Sequence, residues 1–490
     1  MPRAAGMPSL SELGLDTVGL RGVETRVQMR SEVMGYSRHG PALNVDLYQM
    51  TMAAAYFESG LDTTPTFELF VRELPERRSY LLVAGLAQAI EFLSGLAFHP
   101  AQIDYLRSLP SFKSVRDDFF DYLSSFEFRG EVWAMPEGSV AFQQEPLLRV
   151  KAGVIEAQVV ETYLLSMVNF QTAIATKASR IAAAAAGRPV ADFGTRRAHG
   201  PEAGVLAARA CYVGGCSATS NVEAGFLFGI RPVGTAAHSY TMAYGSEELA
   251  FENYVKAFPE DASLLIDTYD TPNGARRAAK FGQSLGSVRI DSGDLVELSK
   301  KVREILDGSG CAETKIVASG DLNEYRIAEL LKNGAPIDMF GVGTEMVVSK
   351  DAPALGGVYK MVDTGKEGAD SYAVKYSAGK ETYPGAKQVF RNADGAGNYE
   401  SDTIGLADEE PGKDRITLLE LVMKDGSPVK SAASLDDIRS AAAENLARLP
   451  EKYKRLEEPE DYPVRTSEAL EELRSKAAEE MEKRGQGPKG

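Results

Sequence analysis

The spacing of apolar and polar positions divides the chain into regions of different period. Near its start, Asp46-Leu47-Tyr48-Gln49-Met50-Thr51-Met52-Ala53 carries Leu47, Met50 and Ala54 at helical spacing, with Asn44 or Asp46 near the cap. Thr66 to Arg72 alternates and is rich in β-formers, which predicts a strand. Ser79 to Leu96 is apolar with helix formers, and a Pro/Gly-punctuated helical region runs on to Ser125. Phe128 to Ala134, Ser139 to Phe142 and Leu147 to Lys151 predict short strands broken by Pro136, Gly138 and Pro146. Residues 43–152 therefore read as an α+β domain.

From residue 153 the period changes. Glu156 to Ala186 is a long helical region in two parts, the second dominated by alanines that permit close helix packing. Strands are then expected at Pro189–Gly194, within Glu223–Val233, and at Leu264–Tyr269, Ser287–Asp291, Lys315–Ser319 and Ile337–Val342. Helices are expected between them at Glu202–Tyr212, Glu247–Phe258, Thr271–Leu285, Asp294–Leu306 and Leu322–Asn333. This alternation implies an α/β class with a parallel sheet and crossover helices over residues 153–357, closed or partly closed as a barrel. Periodicity alone does not show closure, so an open doubly wound sheet is the alternative. Val358–Val362, Tyr372–Tyr376, Gln388–Arg391 and Ile416–Val422 read as strands that return to complete the first domain over about 358–430. Residues 431–490 are expected to be helical, at Leu435–Arg448 and Ser467–Arg484, with a solvated Glu/Lys face and a disordered end. Residues 1–42 read as a flexible extension.

Composition narrows the class. The chain has 490 residues, 44% of them hydrophobic and 25% charged, as in ordinary globular proteins. A net charge of -16 argues against a nucleic-acid surface, because neutralising phosphates needs a basic field. A small anion is still admissible, since local arginines decide that. Three cysteines make neither an even disulfide framework nor a zinc quartet, which fits a reducing, cytoplasmic setting. No apolar run has the length of a membrane helix, and Met1 to Arg38 lacks the apolar core of a signal peptide.

Polar residues crowd the carboxyl end of nearly every expected barrel strand. They are Asp192-Phe193-Gly194-Thr195-Arg196-Arg197, Gly234-Thr235-Ala236-Ala237-His238-Ser239, Asp267-Thr268-Tyr269-Asp270-Thr271, Arg289-Ile290-Asp291-Ser292-Gly293-Asp294, Ser319-Gly320-Asp321 and Gly341-Val342-Gly343-Thr344. In a barrel these ends share one face, where catalytic residues sit. His238 alone would be read as a helix cap; six loops on one face favour a shared site, with Asp294 and Thr271 capping helices as well. Gly341, Gly343, Thr344 and Gly320 offer approachable amides and a hydroxyl for a phosphate, without forming a Walker loop. Asp291 and Asp321 suit ribose hydroxyls or Mg2+. Arg196, Arg197 and Arg289 suit carboxylate or phosphate, or equally a salt bridge to Asp192 or Asp291. The residues thus imply a sugar phosphate plus a second anion.

In this order Asp46-Leu47-Tyr48-Gln49-Met50-Thr51-Met52, Phe67-Glu68-Leu69-Phe70-Val71-Arg72, Asp192–Arg197, Gly234–Ser239, Val288–Asp294 and Phe340–Thr344, with weaker similarity through Thr382–Arg391, resemble the nicotinate phosphoribosyltransferase family, which implies an irregular, TIM-like α/β barrel. The resemblance implies a type II phosphoribosyltransferase: a homodimer with its active site at the subunit interface. It implies transfer of phosphoribose from phosphoribosyl pyrophosphate to nicotinate, with Mg2+ and coupled ATP hydrolysis, as the first step of NAD salvage from nicotinate. On the matching positions, His238 is the histidine that ATP phosphorylates, and Thr235 and Arg289 contact nicotinate. Tyr48 stacks on the ring from the partner subunit, and Thr344 contacts the phosphoribosyl group. Arg72, Arg196, Asp291, Gly320 and Asp321 line the phosphoribosyl side, where Asp291 would face the reacting sugar.

The nearest rival is the same chemistry on nicotinamide or quinolinate, and Asp192 would suit an amide acceptor. A sugar-phosphate aldolase or isomerase would instead need a Schiff-base lysine or a clear acid/base pair at a strand end, and the motifs contain neither. A phosphate-binding scaffold without catalysis would keep the glycines but have no use for His238.

Overall fold

The computed structural model describes residues 40–260, 262–366, 373, 382–413 and 415–483. The expected extension before residue 40, the expected strand at Tyr372–Tyr376 and the chain end after 483 lie outside the described residues. The first helix of the described residues, Leu47–Ser59, starts where expected: Asp46 and Gln49 form a reciprocal capping box, and Gly60 ends the helix at φ 65°.

Strands from both sides of the expected barrel build one antiparallel sheet. Its order is Gly357–Asp363, Thr66–Val71, Pro146–Lys151, Glu131–Ala134, Glu420–Lys424 and Ser427–Pro428. Val358–Val362 and the later part of Ile416–Val422 thus return to the first sheet, whereas Gln388–Arg391 and Ile416–Thr417 do not. Every residue of Thr66–Val71 is buried, because the strand is central and covered on both faces. A second sheet joins Ile416–Thr417, Lys387–Ala393, Tyr399–Leu406 and Val464–Thr466. The last of these interrupts the expected all-helical end, lying between helices Leu435–Arg448 and Glu468–Lys483.

The third sheet is wholly parallel, in the order Ala218–Thr219, Val190–Asp192, Met339–Val342, Lys315–Ala318, Leu285–Ile290 and Ala262–Leu265. Its two end strands are not paired to each other among the described residues, so it is a half-barrel rather than a closed barrel. Val190, Leu264, Val288, Ile290, Ile316, Ala318, Phe340 and Val342 form its core with Ile174, Ala175 and Ala178 of the long helix Glu161–Ala184. Close packing by alanine is realised where helix Pro201–Val213 ends: a Cβ on Gly214 would lie 2.5 Å from the Ala175 carbonyl oxygen.

One expected strand is replaced. Within Glu223–Val233 the chain forms helix Val222–Phe228, capped by the Asn221 side chain, which accepts from the Ala224 amide. Only an isolated bridge remains, Thr219 to Pro232. Proline has no N–H to continue a ladder, so the edge stops there. The cap of helix Thr271–Ala278 also differs from expectation: Asp270, not Thr271, accepts from the Asn273 amide, whereas Asp294 caps Leu295–Gly308 as read.

A buried polar cluster ties the second sheet to the first unit. Arg391 forks onto Asp402, and its Nη2 also donates to the Val140 carbonyl at 2.8 Å. Tyr462 donates to Asp402 at 3.1 Å and stacks on Phe142 at 3.8 Å. Glu145 sits in the same place, accepting from the Phe142 amide at 2.8 Å. Burial, and then the neighbouring charge of Asp402, push its carboxyl well above the usual range. A folded-state pKa above the unfolded one gives stability that is full below the unfolded value, about 4.3, and is lost as pH rises through the raised value. Glu145→Gln keeps the shape and supplies a permanent donor. Urea midpoints measured from pH 5 to 9 should therefore fall with pH more steeply in the wild type than in the variant; parallel curves would show that Glu145 carries no such proton.

Candidate active site

The register of the parallel sheet sets Arg289 between Leu265 and Val317 on the neighbouring strands, with its side chain at their carboxyl ends. There three of the guanidinium's five N–H donors are bonded to protein groups among the described residues. Nε donates to Ser319 Oγ at 2.7 Å, Nη1 to Thr235 Oγ1 at 2.9 Å and Nη2 to Asp291 Oδ1 at 2.6 Å. Ser319 also donates to Asp291 Oδ1, closing a ring of three groups. The guanidinium carbon is 5.4 Å from the centroid of the Phe193 ring. The salt bridge that could have been the whole role of Arg289 exists, but it is one of three bonds.

Asp291 is held from behind. Its amide donates to Asp267 Oδ2 at 2.9 Å, and Ser292 donates to the same oxygen at 2.7 Å. Burial pushes the Asp291 carboxyl up, but the Ser319 hydrogen bond and the charge and hydrogen bond of Arg289 outweigh it, so it lies below the usual carboxylate range. Asp291 is thus an anion at neutral pH.

His238 opens helix His238–Tyr244, but its ring is not a cap, and the preceding Ala237 makes no side-chain cap bond. Nδ1 lies 3.2 Å from Thr268 Oγ1, and Nε2 lies 3.9 Å from Asp291 Oδ2. The His238 side chain is 39% exposed, so it can be reached from solvent. His238, Thr235, Arg289 and Asp291 are therefore one connected cluster.

The glycines are fitted to this cluster. Gly320 has φ 91°, and a Cβ there would lie 2.0 Å from the Asp291 carbonyl oxygen. Asp321 follows at φ 47°, so the Ser319–Asp321 turn is tight and pressed onto Asp291. A Cβ on Gly341 would meet the Phe193 ring at 2.4 Å, and one on Gly343 the Phe193 carbonyl oxygen at 3.3 Å. Thr344 begins the short helix Thr344–Val347 beside them. Gly320→Ala combines left-handed backbone strain with a backbone clash, roughly 1–3 kcal/mol of local disturbance. It is expected to cut turnover about tenfold or more while the thermal midpoint moves only a few degrees; unchanged turnover would detach this turn from the site.

Phe193, Ser319, Asp267 and Thr268 belong to the cluster although sequence reasoning assigned them no role. All four lie in the strand-end motifs, and that position was the available signal. Asp192 must be reassigned. It is fully buried, with Oδ1 accepting from the Gly194 amide and Oδ2 from Thr219, both at 2.8 Å. Burial pushes its carboxyl up despite these bonds. Both oxygens are occupied internally, so it presents no acceptor to an amide ligand.

Three expected residues are not joined to the cluster by contacts among the described residues. Tyr48 donates to Glu161 at 2.9 Å and is half exposed on the first helix. Burial, then that bond, push its hydroxyl up to about 12, so it stays protonated. Arg72 follows strand Thr66–Val71 with a buried Nε lacking a partner among the described residues. Arg196 is exposed on the turn Thr195–Arg197.

Among the described residues, no group of three or more His, Cys, Asp or Glu side chains is placed to hold a metal ion. Carboxylate oxygens are nevertheless available: Asp291 Oδ2 facing His238, the buried Asp267 Oδ1 without a hydrogen-bond partner among the described residues, and the exposed Asp321. This donor set suits a Mg2+ ion held chiefly by substrate phosphates and water. No helix among the described residues is long and apolar enough to cross a membrane.

Comparison with known proteins places this fold first among the pyridine phosphoribosyltransferases. Residues 174–352, which contain most of the half-barrel, match the family model described as the quinolinate phosphoribosyl transferase C-terminal domain. Residues 43–169 and 413–474 match the N-terminal and C-terminal domains of nicotinate phosphoribosyltransferase. A nicotinate phosphoribosyltransferase of Mycobacterium tuberculosis is 43% identical over 433 residues, 87% of this chain and 91% of that protein. One from Bacillus subtilis is 38% identical over 460 residues, 87% of this chain and 93% of the relative. The crystal structure of the human nicotinic acid phosphoribosyltransferase superposes with a TM-score of 0.76 at 28% identity, covering 88% of this chain and 99% of that one. The chain belongs to the nicotinate phosphoribosyltransferase family.

Proposed function

We propose that this protein transfers the phosphoribosyl group of phosphoribosyl pyrophosphate to the ring nitrogen of nicotinate, giving nicotinate mononucleotide and pyrophosphate, and couples the transfer to ATP hydrolysis through His238. The observation that carries this reading is the Arg289 fan. A guanidinium fixed by Ser319 and Asp291 and bonded to Thr235 at 2.9 Å forms a preorganised receptor for a pyridine carboxylate. Phe193, backed by Gly341, offers a ring face beside it. The family's named acceptor has the matching charge, and the internal engagement of Asp192 removes the one residue that would have favoured an amide.

As the bond from ribose C1 to pyrophosphate breaks, positive charge develops on the sugar, and the anionic Asp291 is the group placed to stabilise it. Gly320, Asp321, Gly343 and Thr344 would hold the phosphoribosyl end, with Arg72 and Arg196 contributing charge. Mg2+, held by Asp291 or Asp321 with the substrate phosphates, would neutralise the departing oxygens. In the coupling step a His238 ring nitrogen attacks the γ-phosphorus of ATP; a P–N bond forms, and the bond to ADP breaks. Hydrolysis of that phosphohistidine later returns phosphate and free histidine. In a homodimer, Tyr48 of the partner subunit would cover the second face of the pyridine.

Mononucleotide formation from nicotinate, phosphoribosyl pyrophosphate and Mg2+, followed with and without ATP, tests the reading. Turnover that ATP stimulates, with ADP released, is expected; turnover indifferent to ATP would remove the coupling, and no turnover would remove the function.

A further inference from the structure

We propose that Lys177 of the long helix is a positioning residue for the phosphoribosyl end of the site, fastening its two anion-facing turns to one buried point. The inference rests on reading Gly320, Asp321, Gly343 and Thr344 as phosphoribosyl contacts. Lys177 Nζ lies 2.7 Å from Glu324 Oε2 and 2.8 Å from Asp351 Oδ1. The lysine and Glu324 side chains are 1% and 0% exposed. Glu324 opens helix Glu324–Lys332, directly downstream of the Gly320–Asp321 turn. Asp351 comes from the segment that leaves the short helix Thr344–Val347. One ammonium therefore joins two loops that come from different strands and must converge on one ligand.

Two arginines complete the cluster. Arg180, on the same helix, reaches Glu324 Oε1 at 3.1 Å. Arg78, from the chain ahead of the half-barrel, reaches Asp351 Oδ1 at 2.8 Å and Ser349 Oγ at 2.9 Å. Burial opposes ionisation of Asp351, but Arg78 and Lys177 outweigh it and pull its carboxyl down to about 2. The named partners are three cations and two carboxylates, which leaves one positive charge in excess beneath the turns assigned to an anion.

A buried ion pair is weak evidence for stability, because apolar substitutes of similar volume are often tolerated; its best-attested use is to fix registry. That use is what this geometry offers. Arg180–Glu324 and Arg78–Asp351 would each remain paired without Lys177, so the lysine is dispensable for neutralising charge. What it adds is the link between the two pairs. The Arg289 and Thr235 end of the site has no bond to this cluster among the described residues and should not feel its loss.

Lys177→Met, of similar length and without charge, tests the inference. The readouts are KM for phosphoribosyl pyrophosphate, KM for nicotinate, and the Kd of inorganic pyrophosphate by calorimetry on the whole protein. KM for phosphoribosyl pyrophosphate and Kd for pyrophosphate should each rise about tenfold, with KM for nicotinate within about twofold of wild type. A folded variant with both phosphate readouts unchanged, or with nicotinate KM rising in step, overturns the role. Should Lys177→Met fail to fold, Asp351→Asn, which cuts only the Thr344 side, carries the test under the same criteria. Failure of the wild type to bind either phosphorylated probe would instead overturn the parent reading of the site, and this role with it.

Discussion

Arg289→Ala is expected to raise the nicotinate KM and lower kcat/KM for nicotinate by about ten- to a hundredfold. The arginine side chain is only 12% exposed, so its bonds form where water competes poorly. A hydrogen bond to a charged group is worth roughly 1.5–3 kcal/mol, which spans that range at 1.36 kcal/mol per decade. The variant should do a second thing. Arg289 is one of the groups holding Asp291 ionised, so the acidic limb of the pH-rate profile should move to higher pH when it is removed. Arg289→Lys should recover little of the loss, because an ammonium cannot meet Ser319, Thr235 and Asp291 in one plane. An unchanged nicotinate KM in Arg289→Ala would remove this residue from the carboxylate site.

His238→Ala is expected to abolish ATP stimulation while sparing a basal, ATP-independent transfer. The ring lies 3.9 Å from Asp291 and outside the three-way bonding of Arg289, so its removal should leave the pyridine receptor assembled. Two measurements check this: ADP released per mononucleotide formed, and acid-labile label taken up from γ-labelled ATP. Both should fall to background, with nicotinate KM within a few-fold of wild type. A variant that keeps full coupling would assign the phosphoryl acceptor to another residue.

The sequence made the site's location legible earlier than its wiring. Five of the six polar stretches do follow strands of the parallel sheet and the sixth, Gly234–Ser239, follows only the bridge at Pro232, yet four of the residues they carry, Thr235, His238, Arg289 and Asp291, do meet. What period cannot give is lateral register. Ser319 reaches Arg289 because Val317 pairs with it on the adjacent strand, and that pairing is a property of the sheet. Phe193 shows the same limit: its place beside Arg289 depends on Gly341 of the adjacent strand, where a Cβ would lie 2.4 Å from the ring. Closure of the barrel was equally illegible. The apolar run Glu223–Val233 could supply a strand by composition, but Asn221 caps a helix there and Pro232 ends the edge. Tyr48 and Arg72 were assigned by resemblance and Arg196 first by its charge at a strand end, and none of the three is joined to the cluster by contacts among the described residues. Of the later strands, Val358–Val362 and part of Ile416–Val422 reach the first sheet while Gln388–Arg391 joins the second, because the period of a strand does not name its neighbour.

The most direct test of the account compares acceptors in one assay. The protein is given phosphoribosyl pyrophosphate, Mg2+ and ATP with nicotinate, nicotinamide or quinolinate, and kcat/KM is measured for each. A carboxylate receptor built on Arg289 and Thr235, with Asp192 turned inward, predicts nicotinate preferred over nicotinamide by about ten- to a hundredfold, the range one lost charge-assisted bond supplies. Equal or faster turnover of nicotinamide, or mononucleotide formed from quinolinate alone, would contradict it.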